Sequence, residues 1–589
     1  MSFGVREPFI LQPIPTLARS RGDAAQSPAG VTGAELIAIF ALVLLTAPIV
    51  LAYLVERSGA AIAPAVILPL SVASAVAMGA WLWRTARWQV SETVAFALVV
   101  ASVLAWLLWL AWPALLPVGG GVDVAHHLLL IDYIERHWRL VHDPQVEAYL
   151  GEMIHYTPGS QMLAALFGAW TATDGLHAVY PMVAWSMAIK AGFVFLIAQR
   201  LMPDRVPRIP LALTAVLFLL IPHAYVVGSF THDSFFAQVV AELFAVAAWW
   251  ALIVWDERPT LAAMTLFALA GAAVFLTWPV WIGPLLLVLP LIVWARRGLS
   301  WPQRFVHLIL GAGPIAVVAA LYIVERLAWV GYVRAGGAVA APSTSEFGWL
   351  FPIVSAIGLG LLTARRRGRA TMALVAALAV QALALFKLNE GHGPGSSYMA
   401  LKMVYLAVYP LSVAAAVAVA GGWDALWRLG ILHRRGEIRV AWALVVVLTI
   451  ATAWPIARVP RPHGAITDPL NLAGQWARAH VNPACVDYLV GNDAAAYWLH
   501  LAVLGNPRIS ARTGDSATFD RNSAFVRWIT PGGLPFAIAD LSIVPKDVQQ
   551  DFEVLARFGP AAVVTHRSSG ACPDAGSPVS ASNPKNNKP

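Results

Sequence analysis

The feature that most restricts this chain is a series of thirteen apolar runs. Each is long enough, or nearly so, to cross a hydrocarbon core of about 30 Å, which takes about 20 helical residues. They fall near residues 34–54, 63–83, 92–113, 177–199, 209–228, 235–255, 260–276, 278–295, 304–325, 347–364, 371–387, 403–421 and 438–457. In lipid the backbone must satisfy its own hydrogen bonds, and runs of this length do so as helices. The expected fold class is therefore mostly α: a polytopic helical membrane protein with about thirteen transmembrane helices. Composition agrees, since 59% of the 589 residues are hydrophobic and only 12% are charged, against roughly 25% charged in soluble globular chains. The least separated pair of runs meets at Thr277-Trp278-Pro279, which leaves almost no loop.

The net charge of +8 does not point to nucleic acid, because membrane proteins concentrate Lys and Arg in cytoplasmic loops for topological reasons. With an even alternation of the thirteen runs, one set of loops holds the amino-terminal arginines, Arg84 and Arg87, Arg200, Arg205 and Arg208, Arg258, Arg296, Arg297 and Arg304. It also holds Arg365, Arg366, Arg367 and Arg369, and Arg428, Arg434, Arg435 and Arg439. That is about twenty basic residues against about seven in the alternate loops before residue 458, a positive-inside bias that puts the amino terminus in the cytoplasm and the carboxyl terminus outside. The first 33 residues carry Arg6, Glu7, Arg19, Arg21 and Asp23 and have no apolar stretch with a small-residue cleavage site, so the first helix is expected to be an uncleaved anchor. Residues 159–172 are apolar but short, and counting them as a crossing would place Arg200, Arg205 and Arg208 outside. A juxtamembrane helix on the outer surface satisfies both facts.

Four zones follow: a cytoplasmic segment 1–33, a helical bundle 34–458 with a large first external loop at 114–176, an external domain 459–567, and a disordered tail 568–589. The external domain mixes strand-like runs (CVDYLVG, AAVVTH) with helix-like ones (AAAYWLHLAVLG, VQQDFEVLARFG), which predicts a small α/β fold. Its Cys485 and Cys572 are the only cysteines, and an oxidising compartment permits a disulfide between them.

In so apolar a chain, polar residues at the membrane surface carry the information. The first external loop places Asp123, His126 and His127 at i, i+3 and i+4. If Val122 to Trp138 is helical, a carboxylate stands beside two imidazoles, which suits a general base, a divalent-metal ligand set, or both. His137, His142 and His155 follow, the last leading into Tyr156-Thr157-Pro158. A second cluster, Thr231-His232-Asp233-Ser234, lies at the external mouth between the fifth and sixth runs. Gln238 and Glu242 continue it into the membrane, where Lys190 of the fourth run is the partner to expect for Glu242. The third is the glycine-rich loop from Lys387 to Tyr398, with Lys402 one turn further on and placed for a lipid phosphate. Each cluster also has a plain structural reading: Asp123 and Asp233 as helix caps, Lys190–Glu242 as an ion pair, Lys402 as a snorkelling side chain.

Together these features resemble the GT-C class of membrane glycosyltransferases. The resemblance rests on the long first external loop with Asp123 near its start, Tyr156-Thr157-Pro158 before a surface helix, His232-Asp233 at the next mouth, the Tyr398/Lys402 pair and an external carboxyl-terminal domain. The first loop lacks an Asp-x-Asp or Asp-Glu pair and the external domain lacks a WWDYG-like motif, which argues against metal-dependent asparagine glycosylation. The resemblance implies a bacterial inner-membrane enzyme that transfers a sugar from a polyprenyl-phosphate donor to a glycan, lipid or protein acceptor at the external face. For inverting transfer, Asp123 would take the acceptor proton and His126 or His127 would orient acceptor or phosphate. Tyr398, Lys402 and His232, with His155, would hold donor or lipid phosphate, and Asp233 would position the sugar or a metal. Two other classes stay open: a transporter or flippase using Lys190 and Glu242, expected to show internal repeats and broken helices, and a non-catalytic scaffold.

Overall fold

The computed structural model describes residues 30–566 apart from 85, 120–122, 327–338, 392–394, 432–436, 458–460, 463, 465, 508–518, 520 and 531–532. The tail from Ser568, Cys572 and the side chain of Asp123 lie outside the described residues. Cys485 is disulfide-bonded.

Helices occupy all thirteen apolar runs. The chain begins with α1 (Gly33–Arg57), α2 (Pro64–Trp83) and α3 (Val90–Ala111). The first loop then folds as α4 (Asp123–His137), a short α5 (Glu147–Leu150) and α6 (Gly159–Thr171). Next come α7 (Gly175–Leu201), α8 (Arg208–Phe218), a short α9 (Ser229–Thr231), α10 (Phe236–Glu257), α11 (Leu261–Thr277), α12 (Ile282–Ala295) and α13 (Trp301–Glu325). The bundle closes with α14 (Thr344–Phe347), α15 (Leu350–Thr363), α16 (Arg369–Asn389), α17 (Tyr398–Arg428) and α18 (Glu437–Ala457). Among the described residues eight helices are long and apolar enough to cross a membrane: α1, α2, α3, α7, α10, α13, α16 and α17, with α8, α11, α12 and α15 shorter but apolar. Helices α7 and α10 are buried almost throughout. Helices α2, α3, α13 and α16 expose Val76, Leu98, Ile309 and Leu383, which is what a lipid-facing rim requires.

Two readings of the bundle are corrected. The fifth run is not one helix: α8 stops at Phe218, and after a turn ending at Pro222 a π-helical turn, Ala224–Gly228, leads into α9. Proline lacks the N–H and disfavours helix in the residue before it, so the backbone breaks there. Helix α6 is not laid on a surface either, since every residue from Gly159 to Leu166 is buried. Its polar side chains Ser160 and Gln161 are buried with the apolar ones, Gln161 against His127 of α4. Gly159 lets it approach Leu276 and Thr277, where a Cβ would stand 2.5 Å from the Thr277 hydroxyl oxygen.

Charged side chains gather at the two ends of the helices. At one end, Arg200 at the end of α7 is buried between Glu35 of α1 and Glu257 of α10, while Arg369 at the start of α16 reaches Asp256. Glu35 also accepts the Trp250 indole N–H at 3.0 Å. At the other end, His142 sits between Glu56 of α1 and Glu325 of α13.

The carboxyl-terminal domain begins with α19 (Asp468–His480). It continues through β1 (Val486–Leu489), α20 (Asp493–Trp498) with a π-helical turn at Leu499–Val503, α21 (Arg521–Ile529), β2 (Phe536–Asp540), α22 (Lys546–Gln549), β3 (Phe552–Phe558) and β4 (Ala561–His566). The sheet order is β1-β2-β4-β3, with β1 parallel to β2 and the other pairs antiparallel. The run VQQDFEVLARFG, expected as helix, is mostly β3: pairing with β4 across the turn at Gly559, whose φ is +59°, overrides a pattern that also fits a helix. The domain is docked on the bundle. His177 of α7 faces Asp468 of α19 at 2.9 Å, and α20 packs on α4.

Replacing Arg200 by Leu leaves the buried Glu35 carboxylate without its cation and Glu257 with Arg367 alone, a class of change that costs about 3–5 kcal/mol. Thermal unfolding in detergent is expected to show a marked fall in Tm for Arg200→Leu, whereas Arg205→Leu, at an exposed position, stays within about 0.5 kcal/mol of the parent protein.

Candidate functional site

Helix α4 starts at Asp123 and carries the two histidines onto different faces, because neighbouring residues of a helix point about 100° apart. His126 is half-buried, its ring edge-on to Tyr497 of α20 at 5.3 Å. His127 turns into the bundle and is buried. It packs edge-on against Tyr156 at 5.5 Å and lies 6.1 Å from Phe236. Its Nδ1 is 2.7 Å from the Gln161 amide nitrogen of α6. The Gln161 oxygen already accepts the Ser160 hydroxyl at 3.0 Å, so the amide N–H donates to Nδ1 and the proton of a neutral ring sits on Nε2. Burial, with His126 and the Lys402 ammonium nearby, pushes the ring down to about 3. His127 is a neutral imidazole at any ordinary pH.

Lys402, one turn into α17, is fully buried. Its ammonium donates to the Gln238 carbonyl oxygen at 2.6 Å. It lies 3.2 Å from the centroid of Phe235, 4.9 Å from Tyr398, 5.0 Å from Tyr405 and 5.8 Å from Trp278. Cation–π attraction is strongest where water is excluded, and here it supplies part of what solvent would. The chain of polar contacts runs on inward. The Gln238 amide reaches Glu242 at 3.4 Å, Glu242 is ion-paired with Lys190, and the Tyr409 hydroxyl donates to the same carboxylate. The Lys190–Glu242 pairing expected from sequence is present.

The segment 231–234 meets the same place from another side. Gly119, with φ +100°, packs its α-carbon so closely on the backbone of Thr231 and His232 that a Cβ would stand 2.6 Å from the Thr231 carbonyl oxygen. The start of the first loop is therefore held against the second motif. His232 is 87% exposed and its Nδ1 is 2.7 Å from the Asp233 carboxylate. Asp233 is near enough for its charge to act on the Tyr405 phenol. Ser234 is buried with φ +58°, a strained conformation for a residue with a Cβ.

Among the described residues, four buried donors in this region have no hydrogen-bond partner: Ser234 Oγ, Thr277 Oγ1, Trp278 Nε1 and the Tyr405 hydroxyl. Buried polar groups are rarely left unpaired. Trp278 and Tyr405 are two of the four rings around the Lys402 ammonium, and Ser234 and Thr277 are their neighbours or those of Phe235 in the chain.

The structure thus brings together His127, Gln238, Tyr398 and Lys402, with Glu242 and Lys190 beneath them and Asp233 beside Tyr405. His126 and His232 point away from this group. His155 is exposed, its carbonyl accepting the Tyr322 hydroxyl at 2.7 Å. Gln161, Phe235, Trp278, Tyr405 and Tyr409 were not read from sequence. A signal existed for two of them: Tyr398, Lys402, Tyr405 and Tyr409 recur at i, i+4, i+7 and i+11, one stripe of a helix. Among the described residues no group of three or more His, Cys, Asp and Glu side chains is placed to share a metal ion.

The chain matches no protein-family model and no curated protein. Its structure is similar to several solved ones. One is ArnT from Cupriavidus metallidurans in the apo state, at TM-score 0.48 and 14% identity over 80% of this chain and 97% of that one. The apo oligosaccharyltransferase of Archaeoglobus fulgidus aligns at TM-score 0.45 and 14% identity, over 75% of this chain and 70% of that one. The arabinofuranosyltransferase AftD from Mycobacteria aligns at 0.48 and 14%, covering 81% of this chain and 40% of AftD. At these values the likeness is one of helical layout, and no residue's role is transferred from those proteins to this one.

A neutral, buried His127 ties stability to pH. The unfolded ring binds a proton below about 6.5 while the folded one does not until about 3, so its contribution is complete above about 6.5 and is lost as pH falls. Glu135, which burial raises from 4.5 to about 7, has the opposite sign and loses stability as pH rises through that window. Comparing the parent protein with His127→Gln removes the Glu135 effect. The expected result is that the parent loses up to about 1.4 kcal/mol per pH unit more than the variant as pH falls from about 6.5, read by thermal unfolding in detergent.

Proposed function

We propose that this protein is a membrane glycosyltransferase of the GT-C kind, using a polyprenyl-phosphate sugar at the external face. The observation that carries the reading is a buried ammonium, Lys402, inside a cage of aromatic rings with four unpaired donors around it. Positive charge and spare N–H and O–H groups in one water-poor place suit an oxyanion, and a departing lipid phosphate is one.

On this reading the acceptor hydroxyl oxygen attacks the anomeric carbon and the carbon–oxygen bond to phosphate breaks. Asp123, at the first position of α4, takes the acceptor proton, and the phosphate leaves as an anion held by Lys402, Tyr398 and the donors of Trp278 and Tyr405. His127 serves as a neutral donor through Nε2–H, which needs no proton exchange during the reaction. Asp233 positions the sugar. On this reading α4, the 231–234 turn and the start of α17 meet at one end of the helices, and the carboxyl-terminal domain packs on α4 through α20.

A transporter is the second reading. The broken fifth run and the buried Lys190–Glu242 pair favour it, since transporters place charged residues and interrupted helices at membrane depth. Against it, the polar track has one end. Inward from Lys190 and Glu242 the same two helices present Phe193 and Trp250, whose rings meet edge-on at 5.7 Å, before the next charged residues.

The experiment is sugar transfer in proteoliposomes from a polyprenyl-phosphate sugar. Lys402→Met is expected to lower turnover about 10²–10³-fold, the usual loss when one donor to a developing oxyanion is removed. Asp123→Asn is expected to lower it about 10²–10⁴-fold. Full activity of either variant removes that residue from the chemistry. Movement of a labelled lipid across the bilayer by both, with no transfer by the parent protein, establishes the transporter instead.

A further inference from the structure

A second polar cavity, of about 530 Å³, lies between α4 and the carboxyl-terminal domain. It touches none of the residues of the site above. Its polar lining comes from Asp132 and Glu135 of α4, Asn471, Gln475 and Arg478 of α19, and Trp498 of α20. Its volume falls within the usual range for small-molecule clefts, roughly 300–1,000 Å³.

The charges in its wall cancel one another. Asp132 is ion-paired with Arg136 at 2.9 Å. Asp174, at the rim, faces His177. Burial raises the Glu135 carboxyl to about 7, so much of it is a neutral acid. Arg478 is steadied by the Val503 carbonyl at 3.2 Å, and Val503 closes the π-helical turn after α20. Such turns are frequent at functional sites. The Trp498 indole N–H is fixed on the Asn471 oxygen at 2.8 Å, which turns that side-chain amide to one orientation. An ion would meet no net opposite charge here. A polyhydroxylated ring would meet fixed donors and acceptors beside an aromatic wall, the pattern of few placed polar groups on an apolar and aromatic surface that ligand sites use.

We infer that this cleft binds a neutral saccharide and holds it away from the reacting groups. Glu135 lies eight residues beyond His127 on the same helix, about 12 Å along its axis. Joined to the glycosyltransferase reading, on which only this last step rests, the ligand is the remote part of a glycan acceptor.

Binding is measurable with no donor present. Saturation-transfer NMR on the protein in lipid nanodiscs, with maltotriose, mannotriose and chitotriose as probes, is expected to show transfer to at least one of them. Oligogalacturonate and chitosan trimers serve as anionic and cationic counterparts. Ala479 is exposed on α19 and lines the cleft, so Ala479→Trp fills it without removing a bond. It is expected to weaken binding at least about tenfold. Gln475→Ala, also at an exposed position, is expected to weaken it with unchanged Tm and guards against a misfolded Ala479→Trp. Binding of none of the neutral probes, binding of charged probes alone, or equal binding by both variants overturns the inference. A protein that binds a neutral trisaccharide yet transfers no sugar retains the cleft and loses the enzyme. An active transferase that binds none of the three loses the cleft alone.

Discussion

A lysine ammonium with no solvent exposure at the edge of a membrane bundle is the constraint on which the centre of this structure depends. Moving such a charge out of water without compensation would cost tens of kcal/mol in an idealised low-dielectric medium. Lys402 is compensated by an amide oxygen at 2.6 Å and by ring faces on several sides. Gln238 can present its oxygen to Lys402 because its N–H₂ end faces Glu242, and Glu242 is in turn held by Lys190 and Tyr409. The inner ion pair therefore does more than neutralise itself. It orients the amide that seats the outer lysine, so the deepest charges of α7 and α10 set the geometry at the mouth. Buried networks of this kind are stable only when every member is satisfied, and the donors left unpaired here, Trp278 Nε1 and the Tyr405 hydroxyl, belong to rings around the Lys402 ammonium.

Much of the fold was legible because the solvent for most of this chain is lipid. A run of about 20 apolar residues has one good solution there, and all thirteen runs are helical. What sequence misjudged was where one helix yields to its neighbours. Pro222 sits inside an apolar run that reads as continuous, yet the backbone must break where the N–H is missing. Residues 159–172 read as a surface helix because they are too short to cross, while their small side chains let other helices close in on every face. In the carboxyl-terminal domain, Phe552, Leu555 and Phe558 fit a helical spacing, and only pairing with β4 makes them a strand.

The site was legible in its charged members and not in its aromatic ones. Lys402, Asp233, Gln238 and Glu242 stand out in an apolar background because a polar residue there is expensive. Phe235, Trp278 and Tyr405 do not, since Trp and Tyr abound at membrane interfaces for unrelated reasons. His126 and His127, both near Asp123 along α4, diverge because adjacent helical positions point about 100° apart, one toward Tyr497 and the other toward Tyr156.

That divergence explains why α4 matters to both halves of the protein. One face sends His127 against Gln161, Tyr156 and Phe236 inside the bundle. The next sends His126 to Tyr497 of the carboxyl-terminal domain, and a third gives Asp132 and Glu135 to the cleft shared with α19. A helix held on three sides has little freedom to rotate without breaking contacts on all of them. Glu135 fixes its far end, because Gly175 at the start of α7 is so close that a Cβ there would stand 3.0 Å from the Glu135 carboxyl carbon and 2.1 Å from Ile131. The carboxyl-terminal domain is thus a fourth wall of the bundle rather than an appendage, and any motion of α19 or α20 that shifts α4 must also shift the imidazole of His127.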